Sequence, residues 1–275
     1  RGALVELLAA PQHAAKQGWC SPDTRRDAFV WLGLANLPDV QASIDGLNKY
    51  PGCKTNARLQ GQLVGDTGDI GFVGHFSDPD GYCLEALQDC MECDFVAPAK
   101  PPENTLRAEV PVLGQLKINS KQPEQLLRFY CEGLGMKLVN KMDISRFGLT
   151  LFFLAFTDEE PPEGLDSVRS RTWLWKAQFS QLEIQYWHSF EKDQALRIPP
   201  PEATLGFAGF TFVCEDPATA GARLKEYGAS EATGAYSLET SILDAGAVRL
   251  LDPEARPLRL ISRAAFAASA NKADS

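Results

Sequence analysis

A close cysteine pair, a basic pair and a few oxygen-bearing side chains on strand-like runs are the groups whose type and spacing could do chemistry. Cys90 and Cys93 form a C-x-x-C. That spacing serves zinc or dithiol work when a second pair or a thioredoxin-like context accompanies it. Neither does, so the pair reads as two ordinary thiols. With Cys20, Cys53, Cys83, Cys131 and Cys214 the cysteines number seven, an odd and scattered set that is no disulfide framework and points to a reducing compartment. The three histidines are His13, His75 and His188. His13 and His188 have no chemical context. His75 lies on the strand-like run before Glu85. Arg25-Arg26 precede another such run and could hold a carboxylate bidentately, although a solvated basic pair is the simpler reading. Glu85, Gln115 and Glu183 each stand in alternating strand-like runs, where any one alone reads as a solvated residue.

The elements that must position these groups repeat along the chain. Asp78-Pro79-Asp80-Gly81 opens the strand Tyr82–Leu87, and Asp252-Pro253-Glu254-Ala255 opens Arg256–Ile261. Proline presets the turn, and Gly81 suits a positive φ at its end; Ala255 replaces that glycine, so the second turn must differ. A strand followed by a polar break and an amphipathic helix occurs three times. The helices are expected near 39–49, 123–133 and 217–227, with proline in the first turn and Gly or Pro-Gly stops behind. In the middle copy the later strands are Lys137–Met142, Leu149–Phe156 and Gln181–Tyr186. One β-α-β-β-β unit therefore recurs near 30–88, 112–187 and 205–262. Ala3–Leu8 reads as the closing strand of a further, partial copy, making the full copies the second, third and fourth repeats.

The expected organisation is an N-terminal domain over 1–93, a proline-rich linker over 94–110, a C-terminal domain over 111–263 and a small, polar, disordered tail over 264–275. A charged loop over 158–171 interrupts the third repeat. The net charge of −9 argues against nucleic acid or an anionic membrane surface as the main partner. No apolar run approaches the roughly 20 residues a membrane span needs. The sequence opens at Arg1 without a methionine, which leaves room for an upstream segment, so the location is not fixed beyond the reducing compartment the cysteines favour: the cytoplasm, or an organelle interior after removal of that segment. A half repeat leaves open sheet edges, which a protein partner or further N-terminal sequence would cover.

The third repeat resembles glyoxalase I of the vicinal-oxygen-chelate superfamily along most of its length. The likeness lies in Phe129-Tyr130, Leu134-Gly135-Met136-Lys137-Leu138, the LTLFFLAF run over Leu149–Phe156, the long loop, Thr172-Trp173-Leu174-Trp175 and Leu182-Glu183-Ile184. The second repeat is similar to the family's other module through Leu37-Pro38-Asp39-Val40 and DPDGYCLEAL; the fourth repeat matches less. The resemblance implies an α+β fold in which βαβββ modules pair into cupped, eight-stranded mixed sheets. One divalent metal (Zn, Ni, Mg or Mn) sits in each cup, held by residues of first and last strands.

Carried over residue by residue, the family's ligands fall on Gln115, Glu183 and Glu85. The fourth, normally a histidine, falls on Leu32, or on Trp31 if the strand bulges, and His75 is the candidate substitute. The resemblance makes Glu85 the catalytic base, with Glu183 opposite it, in isomerising a glutathione or other thiol hemithioacetal of methylglyoxal. The family's glutathione-binding Arg and Asn are replaced by Asn119 and Trp187; Arg25, Arg26 and Trp187 remain as substrate-binding candidates. In the other cup Glu6 faces Gly209 (or Phe207) and Arg259 where His and Glu are expected, and a cation beside Arg259 would be repelled. Two functions follow. One is a lyase of glyoxalase I type acting on a small molecule at one site. The other is a degenerate pseudo-enzyme without metal, serving as a binding or structural subunit of a larger complex. A ring-cleaving dioxygenase needs two histidines and a carboxylate, and no histidine stands at a matching position.

Overall fold

A computed structural model describes residues 29–37, 39–55, 61–79, 83–88, 112–177, 179–189, 209–232 and 246–273. The chain divides into two compact units. Of the described residues, those within 29–121 and 136–189 make the first, and those within 122–135 and 209–273 the second.

In the first unit the second repeat runs β1 (Phe29–Leu37), α1 (Val40–Leu47), β2 (Lys54–Thr55), β3 (Gly61–Gly65), β4 (Gly68–Ser77) and β5 (Cys83–Gln88). The third repeat contributes β6 (Val112–Ser120), β7 (Lys137–Ile144), β8 (Leu149–Ala155), α3 (Val168–Trp175) and β9 (Gln181–Trp187) to the same unit; α2 (Pro123–Leu127) belongs to the second. Asp39 caps α1 by accepting from the Ala42 amide at 2.8 Å, which leaves Val40 and Ile44 on the buried side. The strands form one mixed sheet in the order β2-β4-β5-β1-β6-β9-β8-β7, with β3 also on β4. β2 pairs with Phe76 and Ser77 at one end of β4, and β3 pairs with the stretch from Gly68 to Val73 at the other. The edge strand thus arrives in two pieces, and nine strands fill the expected eight places. The seam is the antiparallel pairing of β1 with β6.

One face of this sheet packs Val73, Leu87, Met142, Leu149, Leu151 and Phe153 against Trp173, Leu174 and Trp175. The charged segment ends at Ser167, whose hydroxyl caps α3 at the Ser170 amide; the helix therefore begins inside the expected loop. It is bolted to the second repeat by Trp175 Nε1 donating to Ile70 O at 2.6 Å. Arg171 adds bonds to the carbonyls of Gly68 and Asp69, both at 2.9 Å.

In the second unit β10 (Phe210–Cys214), α4 (Pro217–Glu226), β11 (Ser230–Glu231), β12 (Val248–Leu251) and β13 (Pro257–Ser262) give a sheet ordered β10-β13-β12-β11. First strand beside last, then third, then second is the order of the third repeat as well. α2 and the wide turns Arg128–Gly133 that continue it pack here, Tyr130 donating to the buried Asp252 at 3.1 Å. The tail departs from expectation. Instead of disorder over 264–275, Arg263–Ala273 forms helix α5. Its alanines are the strongest helix formers, and Ser262 Oγ caps the start by accepting from the Ala265 amide. No helix of the described residues is long and apolar enough to cross a membrane.

Candidate functional site

Alternation along a strand puts residues i, i+2 and i+4 on one face. On β6 that face carries Gln115, Lys117 and Asn119; on β9 it carries Gln181, Glu183, Gln185 and Trp187. Register sets Lys117 beside Glu183 and Gln115 beside Gln181. Across the seam Gly33 faces Gln115, its other neighbour is Glu85 on β5, and Glu85 faces His75 on β4. The two first strands thus carry both last-strand glutamates to the seam from opposite sides.

The two glutamates share one cation, and it is a side chain. Lys117 Nζ binds Glu85 Oε2 and lies 3.1 Å from Glu183 Oε2. The remaining carboxylate oxygens are also engaged. His75 Nε2 is 3.0 Å from Glu85 Oε1, and Gln185 Nε2 donates to Glu183 Oε1 at 2.8 Å. Glu85, Lys117 and Glu183 are 5%, 6% and 1% exposed, so water screens this triad little. Burial alone would raise the Glu85 carboxyl; the Lys117 charge, assisted by His75, more than offsets this and holds it at about 2. Glu183 moves the other way, raised by burial and then by the Glu85 charge, with Lys117 only partly compensating. Burial would lower the Lys117 ammonium, but Glu183 and Glu85 outweigh it and raise it. The triad is therefore an ionised Glu85–Lys117 pair with a second carboxyl that keeps its proton longer.

Gln115 is fully buried, and neither amide atom has a hydrogen-bond partner among the described residues. Its side chain lies over Gly33, where an added Cβ would stand 2.8 Å from Gln115 Oε1 and 2.9 Å from its Cβ. Beside it Gln181 is fixed by Nε2 donating to Leu174 O at 2.9 Å, and its Oε1 likewise has no partner among the described residues. An unsatisfied donor and two unsatisfied acceptors thus adjoin the triad.

Trp187 is partly buried: its indole Nε1 donates to Asn119 Oδ1 at 3.2 Å and it packs against the apolar core. The two positions that replace glutathione contacts therefore bond each other. Arg25, Arg26, Glu6, Phe207, Cys90 and Cys93 lie outside the described residues. Gln115 stands two residues before the partner of Glu183, and the same count back from Gly33, the partner of Glu85, reaches Trp31. The irregularity between Phe29 and Leu32 thus favours Trp31 over Leu32 as the histidine's counterpart. Neither is a metal ligand. In the second unit Arg259 is paired in register with Thr211 and donates to its hydroxyl at 3.1 Å.

Lys117 is the residue the sequence reading passed over. Its signal was available, since a lysine two positions from Gln115 in a strand must share its face.

This donor set does not fit a divalent ion. A dication about 4 Å from an ammonium meets a repulsion of roughly 8 kcal/mol at an effective dielectric near 20, and all four carboxylate oxygens are already taken. No group of three or more His, Cys, Asp or Glu among the described residues has the arrangement of a metal site.

Residues 112–237 match the family described as the Glyoxalase/Bleomycin resistance protein/Dioxygenase superfamily. The chain contains a domain of this superfamily. Glyoxalase I from Zea mays aligns over 88% of this chain and 69% of its own, at 19% identity and a TM-score of 0.57. A single-residue mutant of that enzyme aligns over 89% and 73%, at 17% identity and a TM-score of 0.56. At such identities the likeness concerns the fold. None of the curated proteins matches the chain.

Proposed function

We propose that this chain is a small-molecule-binding member of the superfamily rather than a lyase of glyoxalase I type. Its ligand is neutral and carries a donor and an acceptor side by side, as an α-hydroxyketone or a primary amide does. The observation that carries this reading is Gln115, a buried carboxamide with donor and acceptor both unmet. Leaving such a group unsatisfied costs about 1–3 kcal/mol, which a ligand bridging Gln115 and Gln181 would recover. Neutrality follows from the triad: Lys117 already balances Glu85, and Glu183 is shifted toward its uncharged form. The mutual bond of Asn119 and Trp187 supports a ligand other than glutathione.

The test is NMR of the full chain, following the Gln115 side-chain NH₂ signal, assigned by its disappearance in Gln115→Met. Titration with hydroxyacetone or acetamide should shift it saturably, and methylglyoxal–glutathione hemithioacetal should not turn over with or without added divalent ions. Absence of a saturable shift with both probes, or metal-dependent turnover, overturns the reading.

One observation favours the lyase instead. The two carboxyls are pushed in opposite directions, the arrangement that separates an acid from a base. On that second reading Glu183, the weaker acid, is the stronger proton acceptor, and Glu85 is a fixed counter-charge. Turnover abolished by Glu183→Gln would establish it.

A further inference from the structure

We propose that the Lys117 ammonium is a built-in substitute for a divalent ion, so that the seam between β1 and β6 keeps its two inherited carboxylates without a metal. Three independent features of the site lead there. First, Lys117 Nζ bridges one carboxylate from each repeat, Glu85 and Glu183, as a shared cation would. Second, the outer oxygens of the same carboxylates are held by His75 and Gln185, so the network is closed around the ammonium with no oxygen left over. Third, the first strand of the second repeat adds no ligand: Gly33 has no side chain opposite Gln115, and the sequence position two before it is a tryptophan, Trp31. Two carboxylates this deeply buried need a cation, and the fold provides one covalently. The site is then indifferent to chelators, and metal availability does not control it.

The experiment is Mn²⁺ binding by EPR on the full chain, wild type against Lys117→Met, with thermal melts of both in Mn²⁺ and in EDTA. The wild type should leave Mn²⁺ in its free aqueous spectrum and melt identically in both. Lys117→Met, which keeps the length of the side chain and removes the charge, should bind one equivalent. Its affinity should exceed the wild type's by more than about 100-fold, and its melting point should rise with Mn²⁺. Adding Glu183→Gln should abolish the gain. Lys117→Gln, which still donates to a carboxylate, is the second variant should Lys117→Met fail to fold in EDTA. A stoichiometric Mn²⁺ site in the wild type that is lost in Glu183→Gln overturns the proposal. So does an absence of gain in both variants, or a failure of Mn²⁺ to restore a variant that EDTA unfolds. The readout is independent of hydroxyacetone and acetamide, so failure here and failure of the ligand reading are distinguishable.

Discussion

The first-strand residue that faces the last strand can be compared between the third and fourth repeats. In the third it is Lys117 opposite Glu183, in the fourth Thr211 opposite Arg259. The topology is the same, but the cation has moved from the first strand to the last, and a threonine stands in register where the carboxylate would be. Burial accounts for what each repeat tolerates. Lys117 and Glu183 are almost wholly buried, where an unpaired charge costs several kcal/mol, and Glu85 of the second repeat completes their balance. Arg259 is half-buried and donates to the Thr211 hydroxyl. The fourth repeat keeps its own buried charge elsewhere. Arg256, fully buried, meets Asp252 and Glu254 at 3.0 Å each within the turn before the last strand. Inherited positions are thus held to their chemistry only where desolvation enforces it.

Removing the cation from each repeat tests this most directly. Lys117→Met leaves buried carboxylate charge uncompensated and should cost about 3–5 kcal/mol in metal-free buffer. Arg259→Met removes a half-exposed hydrogen bond and should cost no more than about 1 kcal/mol. Urea melts of the full chain in EDTA measure both. Equal losses would mean that burial does not distinguish the two sites.

Acid separates them next. Glu85 titrates at about 2 in the folded chain against an ordinary 4.5. A depressed carboxyl stabilises fully above its unfolded value and loses that contribution as the pH falls toward the folded one. The window therefore runs from about pH 4.5 down to about 2. The difference corresponds to roughly 3 kcal/mol. Glu183 opposes it: a raised carboxyl destabilises at high pH and is relieved as it protonates, so the net loss is smaller. Glu85→Gln should flatten the stability–pH curve through this window, whereas Arg259→Gln, which removes no carboxylate, should leave its slope unchanged. An unaltered slope in Glu85→Gln would disconnect the triad from acid stability.

Much of the frame was legible before any coordinates. Strand alternation and proline-led helices mark the repeats, because hydrophobic burial and capping are local consequences of sequence. The same rule placed Gln115 and Glu183 on strands, and the DPDG turn did so for Glu85. The ammonium between the glutamates was legible only as far as its face, which Lys117 shares with Gln115. That Lys117 Nζ reaches Glu85, 32 positions away, depends on which strands form the seam, and no local pattern states it. Nor did the bond between Asn119 and Trp187 show, since each was weighed only against the family residue it replaces. The tail misled for a local reason: small residues suggested fraying, but the small residue is mostly alanine, and Ser262 supplies a cap.

The smallest expected effect lies in the turn that feeds each last strand. Where the second repeat has Gly81, the fourth has Ala255, with φ at 66°, the left-handed region that an alanine enters at a cost of about 1–2 kcal/mol. The turn is nevertheless closed, because Asp252 over-determines it. Its Oδ1 accepts from the amides of Glu254 and Arg256, both at 2.9 Å, and its backbone carbonyl accepts from the Ala255 amide at 2.9 Å. Gly would relieve the strain but add freedom to the unfolded chain, so Ala255→Gly should raise stability by only about 0.5–1 kcal/mol. A urea titration with an unchanged slope would register this as a shift in midpoint alone. A loss of stability would mean that the alanine side chain contributes more than its backbone conformation costs. The fourth repeat's turn would then be fitted to its buried Arg256, not a strained copy of the second repeat's.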